Sequence, residues 1–153
     1  MNKEKFLDAV ELAKVMAETS QCLKKKVGAV LMYKNTGEIV GVGHGGAEVP
    51  CEKCVRKEYE WQQDGCWAIH AEPRAIFDCF KNLGYNTDLS DFIMLVTHGP
   101  CDQCLKYMHL FKIPVVIYDI EYHNDYTKWE GKIGVDTVKN LLEIFDIKEE
   151  FLR

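Results

Sequence analysis

Two short motifs, His70-Ala71-Glu72 and Pro100-Cys101-Asp102-Gln103-Cys104, are separated by the 27 residues 73–99. One imidazole and two thiolates make three ligands for zinc, and three protein ligands leave a tetrahedral ion one open position. That open position separates a catalytic zinc from a closed structural one. Zinc so held lowers the pKa of water from 15.7 toward ~7. Glu72, two residues after the histidine, is placed to accept the proton released and pass it to a leaving group. A lone Cys-x-x-Cys also suits redox chemistry, and a lone histidine is usually a core residue; the two motifs together favour the metal.

The chemistry requires both motifs at helix starts. Pro73 supports the first, because proline is tolerated in the first helical turn, where its missing N–H costs nothing. Cys101 and Cys104, three apart on a first turn, project to one side, and the positive end of the helix favours their thiolates.

Helical spacing of Phe6, Val10, Ala13 and Ala17 predicts a first helix ending near Thr19–Ser20. Val27–Tyr33 and Glu38–Val42 flank Asn35-Thr36-Gly37 and read as a β-hairpin. Residues 44–66 show no periodicity and form a long loop, with a short helix near Val55–Trp61. Ile69, Ile76, Phe77, Phe80 and Leu83 give a helical stripe stopped by Gly84. Phe92–Val96 and Val115–Tyr118 are uninterrupted apolar runs, as strands covered on both faces would be. Between them Pro100 opens a helix with Leu105, Met108 and Phe111 inward, and Pro114 closes it. A last helix spans Val135–Phe145, with Val138, Leu141, Leu142 and Phe145 inward. Helix and strand alternate, so the class is α/β, one three-layer domain over residues 1–153.

With 153 residues, 47% of them apolar, the chain is long enough for a core and too apolar for wholesale disorder. Nineteen basic and 24 acidic residues give a net charge of −5, which argues against binding nucleic acid or an anionic membrane. Met1–Val10 lacks the apolar segment of a secretory signal, so the expected place is the cytoplasm, where cysteines bind metal or pack rather than form disulfides. Seven cysteines cannot all pair internally. Cys51-Glu52-Lys53-Cys54 has the spacing of a zinc knuckle, and Cys22 and Cys66 flank the same loop. Four thiolates would complete a structural zinc; the bland alternative is scattered reduced thiols, or binding by Cys51 and Cys54 alone. Cys79, mid-helix beside Phe77 and Phe80, reads as a core residue.

Over roughly Leu7–Phe145 the sequence resembles the cytidine/deoxycytidylate deaminase superfamily, and within it the zinc-dependent deoxycytidylate (dCMP) deaminases. The resemblance lies in the His-x-Glu and Pro-Cys-x-x-Cys motifs. It lies also in Thr19–Val30, in Val96-Thr97-His98-Gly99-Pro100-Cys101, and in the strand ending at Tyr118 with Tyr122 beyond. It implies a three-layer α/β/α sandwich on a five-stranded mixed sheet, and hydrolysis of dCMP to dUMP and ammonia, a hydrolase acting on a C–N bond of a cyclic amidine. It implies zinc on His70, Cys101 and Cys104, Glu72 as proton shuttle, and Tyr122 near the nucleotide. A second zinc on cysteines at the positions of Cys22, Cys51, Cys54 and Cys66 is also implied, as is a homo-oligomer, commonly a hexamer.

Three stretches depart from the family pattern. Gly43-His44-Gly45-Gly46 stands where relatives read Gly-Tyr-Asn-Gly; Pro73-Arg74 ends in arginine where they have asparagine; Gly99 replaces serine. His44, Gly45, Ala71, Arg74, Gly99 and Tyr122 are therefore the expected pocket residues, with His44 open to a second reading as a loop histidine. Glycine in place of a polar side chain opens volume, so a modified cytosine nucleotide or another nucleobase compound is the alternative substrate. Arg74 and Lys24–Lys26 could meet a phosphate, and the lysines could equally be a solvated turn. A nucleic-acid deaminase is disfavoured by the charge, and a non-catalytic zinc module by Glu72, which it would not need.

Overall fold

The computed structural model describes residues 1–48, 50–55 and 66–148. Its strands are β1 (Gly28–Tyr33), β2 (Ile39–His44), β3 (Phe92–His98), β4 (Val115–Ile120) and β5 (Gly134–Thr137). They form one sheet in the order β2-β1-β3-β4-β5. β1 runs antiparallel to β2 and to β3, whereas β3, β4 and β5 run parallel, so the sheet is mixed. The helices are α1 (Lys3–Thr19), α2 (Ala71–Leu83), α3 (Asp102–Leu110) and α4 (Val138–Phe145).

Strand alternation sorts the core into two layers. Ala29, Leu31, Met94, Val96 and Val116 face the layer of α2 and α3. Val30, Met32, Ile93, Leu95 and Ile117 face that of α1 and α4. The expected three-layer α/β/α sandwich is the observed one. Cys79 is fully buried in the first layer.

Two boundaries differ from the periodicity. Val135 belongs to β5, which pairs with β4 through Val116. The last helix starts three residues later, where the Thr137 hydroxyl oxygen accepts the Asn140 N–H at 3.1 Å. Pro100 lies just before the α3 N-cap, Cys101, rather than inside the helix. The α2 stripe is also shifted. Phe77 and Leu83 are exposed and Ile69 precedes the helix, while Ala71, Ala75, Ile76 and Cys79 face inward. The cause is close packing: a Cβ on Gly41 or Gly43 would overlap the carbonyl oxygen of Ala75 or Ala71. Small residues on both elements bring the start of α2 against β2. The short helix expected near Val55–Trp61 falls largely on residues 56–65, outside the described ones. Among the described residues no helix is long and apolar enough to cross a membrane.

Candidate active site

Both motifs sit at helix N-termini, as expected. His70 is the N-cap of α2 and Cys101 that of α3, each with extended backbone. Neither side chain caps its own helix. Serine or aspartate there would stabilise the helix by about 1 kcal/mol, so these positions give up a cap and leave their donor atoms for another partner. They meet each other. His70 Nδ1 lies 3.2 Å from Cys104 Sγ and 3.5 Å from Cys101 Sγ. The three ligand atoms all fall within 4.8 Å of one another. Zn–N of about 2.0–2.1 Å and Zn–S of about 2.3 Å imply tetrahedral edges of roughly 3.5–3.8 Å, so the donor set fits zinc.

Electrostatics agree with that use. A hydrogen bond from Cys104, aided by His70, pulls the Cys101 thiol down to about 4. The bond to Cys101, burial and the nearby Glu72 push the Cys104 thiol up. The cysteine pair thus keeps one proton, which a metal would displace. Glu72 is 4% exposed, and burial raises its pKa against the lowering effect of His70. A carboxyl shifted upward is matched to moving protons near neutrality.

These groups line a cavity of about 810 Å³, within the roughly 300–1,000 Å³ of small-molecule sites. Of the expected pocket residues, Gly45, Ala71, Gly99 and Tyr122 line it. His44 and Arg74 do not. Along an extended strand end, successive residues face opposite ways, so Gly45 inside places His44 outside, with its Nδ1 3.3 Å from the Gly45 carbonyl oxygen. Arg74, about 200° round the helix from Glu72, donates to the Gly46 carbonyl at 2.9 Å and pairs with Glu48 at 2.9 Å. It braces the loop from behind.

Gly45 and Gly46 form a wall whose peptide groups are all engaged within the protein. Gly45 N–H donates to Val27 and its carbonyl accepts from Ser20 Oγ. Gly46 exchanges both bonds with Ile69 and accepts the Arg74 bond too. Of the Lys24–Lys26 cluster, Lys25 reaches the cavity, its Nζ 4.4 Å from the centre of the Tyr122 ring.

The four remaining cysteines are not gathered. Among the described residues, His70, Cys101 and Cys104 are the one group of three or more His, Cys, Asp or Glu able to share a metal. Cys22 is half-buried and borders the cavity, while Cys51 and Cys54 are exposed. Four thiolates repel one another and converge only when a metal neutralises them, so such sites are rarely preformed.

Sequence reasoning missed His98, Phe77, Tyr107 and Leu110, which line the cavity, and Tyr126, whose hydroxyl donates to the Pro100 carbonyl at 2.8 Å. A signal existed for the last. A Cβ on Gly99 would stand 2.5 Å from that hydroxyl and 3.0 Å from Tyr122 Cβ, so the glycine marks a close approach. It explains why no serine stands there.

Residues 2–120 match the family model of the cytidine and deoxycytidylate deaminase zinc-binding region. The deoxycytidylate deaminase of Mycobacterium phage D29 is 29% identical over 122 residues, 72% of this chain and 90% of that one. ComE operon protein 2 of Bacillus subtilis is 31% identical over 109 residues, 71% of this chain and 55% of the relative. In fold, the chain is similar to the dCMP deaminase of cyanophage S-TIM5 in complex with dCMP and dUMP. That structure has TM-score 0.69 and 23% identity, and the match covers 90% of this chain and 99% of that one. The three-ligand cluster at two helix starts, on this sheet, therefore has a family: the chain belongs to the cytidine and deoxycytidylate deaminases.

Proposed function

We propose that the protein is a zinc-dependent deoxycytidylate deaminase, hydrolysing dCMP to dUMP and ammonia. The observation that carries this reading is Glu72, a buried carboxyl beside the His70, Cys101 and Cys104 cluster in the lining of a nucleotide-sized cavity. The phage relative of matching length bears the same activity in its name. Zinc held by those three residues supplies Lewis acidity, which makes water a nucleophile near neutral pH. Glu72 accepts a proton from the attacking water and delivers it to the ring nitrogen beside C4; it then takes the proton of the new C4 hydroxyl and gives it to the departing amine. The oxygen of water becomes the C4 carbonyl, the C4–N bond breaks, and ammonia leaves. Ala71, Gly45 and Gly99 confine the base without polar side chains, Tyr122 offers a ring face, and Lys25 supplies positive charge for the phosphate.

A modified cytosine nucleotide is the second reading. It is favoured by Gly45, where a Cβ would meet nothing closer than 3.8 Å. Ammonia release from dCMP, CMP, 5-methyl-dCMP, 5-hydroxymethyl-dCMP, deoxycytidine, guanine and single-stranded DNA tests both. dCMP, alone or with its 5-substituted forms, is expected to react. Turnover of the oligonucleotide alone would sink the reading, which takes a free nucleotide and no nucleic acid.

A second, structural zinc on Cys22, Cys51, Cys54 and Cys66 belongs to the same proposal. It is supported by the Cys-x-x-Cys spacing and by the half-buried Cys22, which stands at the border of the cavity with the Lys25 N–H donated to its Sγ at 3.4 Å. Two zinc ions per chain are expected, falling to one in Cys51→Ser/Cys54→Ser; one zinc in the unmodified chain would remove that site. Thiolate ligands suit the reducing cytoplasm. Assembly of copies, a hexamer by family resemblance, is supported by the exposed Phe77 and Leu110 at the cavity rim.

A further inference from the structure

Of the three metal-binding side chains, Cys104 is held by the core, being 1% exposed among the first-layer residues. Cys101 only borders that core: it is half-buried at the start of α3, between Pro100 and Asp102. Both of these neighbours are gripped by a single segment, residues 124–129. On one side, the Pro100 carbonyl accepts from Tyr126 Oη at 2.8 Å and from Asn124 Nδ2 at 3.4 Å. On the other, Asp102 Oδ1 accepts from Asn124 Nδ2 and from Trp129 Nε1, each at 3.0 Å. Lys128 Nζ completes the set on Oδ2 at 2.6 Å. The segment is itself fixed, because Trp129 is buried in the first core layer.

We propose that Asp102 is a positioning residue: through Trp129 and Asn124 it clamps the Cys101 end of the zinc site, and thereby sets how long the metal stays bound. Partners that orient metal ligands typically matter by 10–100-fold in metal affinity or activity. Here the partner acts through the backbone on either side of the ligand rather than on its sulfur. The two bonds on Oδ1 come from neutral donors in part-buried positions, while the Lys128 pair is half exposed. Exposed pairs are worth little. The clamp therefore depends on the acceptor at Oδ1 more than on the exposed Lys128 pair.

That distinction separates the clamp from the plainer role of an acidic residue in a first helical turn, which works through charge alone. The inference rests on zinc at His70, Cys101 and Cys104. Zinc release from the holoprotein into excess chromophoric chelator reads it directly. Asp102→Ala is expected to release zinc about tenfold faster or more. Asp102→Asn, which keeps Oδ1 as an acceptor, and Lys128→Ala should both stay within about threefold of the unmodified protein, given the small worth of exposed pairs. Trp129→Phe keeps the buried ring but loses the Nε1 donor; it should release zinc several-fold faster, and it carries the test if Asp102→Ala does not fold. Release from Asp102→Ala or Trp129→Phe at the unmodified rate would overturn the clamp. So would Asp102→Asn releasing as fast as Asp102→Ala, which is the helix-charge result. A chain that purifies with no zinc at the three ligands would overturn the metal reading, and the clamp with it.

Discussion

Two parts of the cavity lining, the metal end and the glycine wall beside it, are built from different parts of the chain. At the metal end, every working atom is a side chain carried on a helix start: His70 and Glu72 on α2, Cys101 and Cys104 on α3. At the neighbouring wall, beside Ile69 and Ala71, Gly45 and Gly46 present backbone alone, and that backbone is fully committed to Val27, Ser20, Ile69 and Arg74. In the proposed reaction the first does the chemistry and has little latitude. The other contributes shape, with no hydrogen-bonding group left for a ligand among those two residues. On the proposed reading, reaction type is decided at the first, and the choice among related substrates is left to volume at the second.

Breaking the metal end should have the largest effect. Glu72→Gln preserves shape and removes only the ability to carry a proton. Turnover is expected to fall by about 10²–10⁴-fold, with zinc content by metal analysis unchanged. Turnover within a few-fold of normal would show that another group moves the proton. Gly99→Ala probes the seam between the two parts. Its new Cβ would lie 2.5 Å from the Tyr126 hydroxyl and 3.0 Å from Tyr122 Cβ, so both rings must shift. Overpacking of this kind costs about 1–3 kcal/mol. The expected readouts are a lower melting temperature and a KM for dCMP raised about tenfold, which corresponds to about 1.4 kcal/mol. An unchanged KM would remove Tyr122 from the binding surface.

The same contrast explains what could be read from the sequence. His70, Glu72, Cys101 and Cys104 were legible because few functions need those residue types at those spacings, and Pro73 placed one helix start. The strands β1, β3 and β4 announced themselves as apolar runs, whereas four-residue β5 is too short and too polar to show a pattern. The wall was harder. A position in a motif says that a residue is near a site, but facing is decided by strand phase and helix rotation. Hence His44 and Arg74 seemed pocket residues and stand behind it, His44 by one step of a strand and Arg74 by about 200° of a helix. The α2 stripe failed for a related reason. Burial there follows the close approach to Gly41 and Gly43, so small residues rather than large ones face inward.

Changes at the wall itself should be the mildest, and two glycines two residues apart make the point in a single comparison. At Gly45 an added Cβ would meet Val27 Cβ and O at 3.8 Å and Ala71 N at 3.9 Å, all ordinary contacts, and the φ there is not positive. Gly45→Ala narrows what the unfolded chain can sample without straining the fold, a change that typically stabilises by about 0.4–1 kcal/mol. For a domain this size that corresponds to a melting temperature raised by roughly 1–4 °C. Turnover of dCMP should stay within about twofold, because no hydrogen bond is lost, while a substrate with bulk on the base should lose more. Gly43→Ala, two residues earlier, supplies the opposite outcome, since its Cβ would overlap the Ala71 carbonyl and push α2, with Glu72, off the sheet. If Gly45→Ala destabilised the protein as Gly43→Ala does, the wall would be a packed surface rather than open volume, and substrate choice would have to be sought at Tyr122 and Lys25 instead.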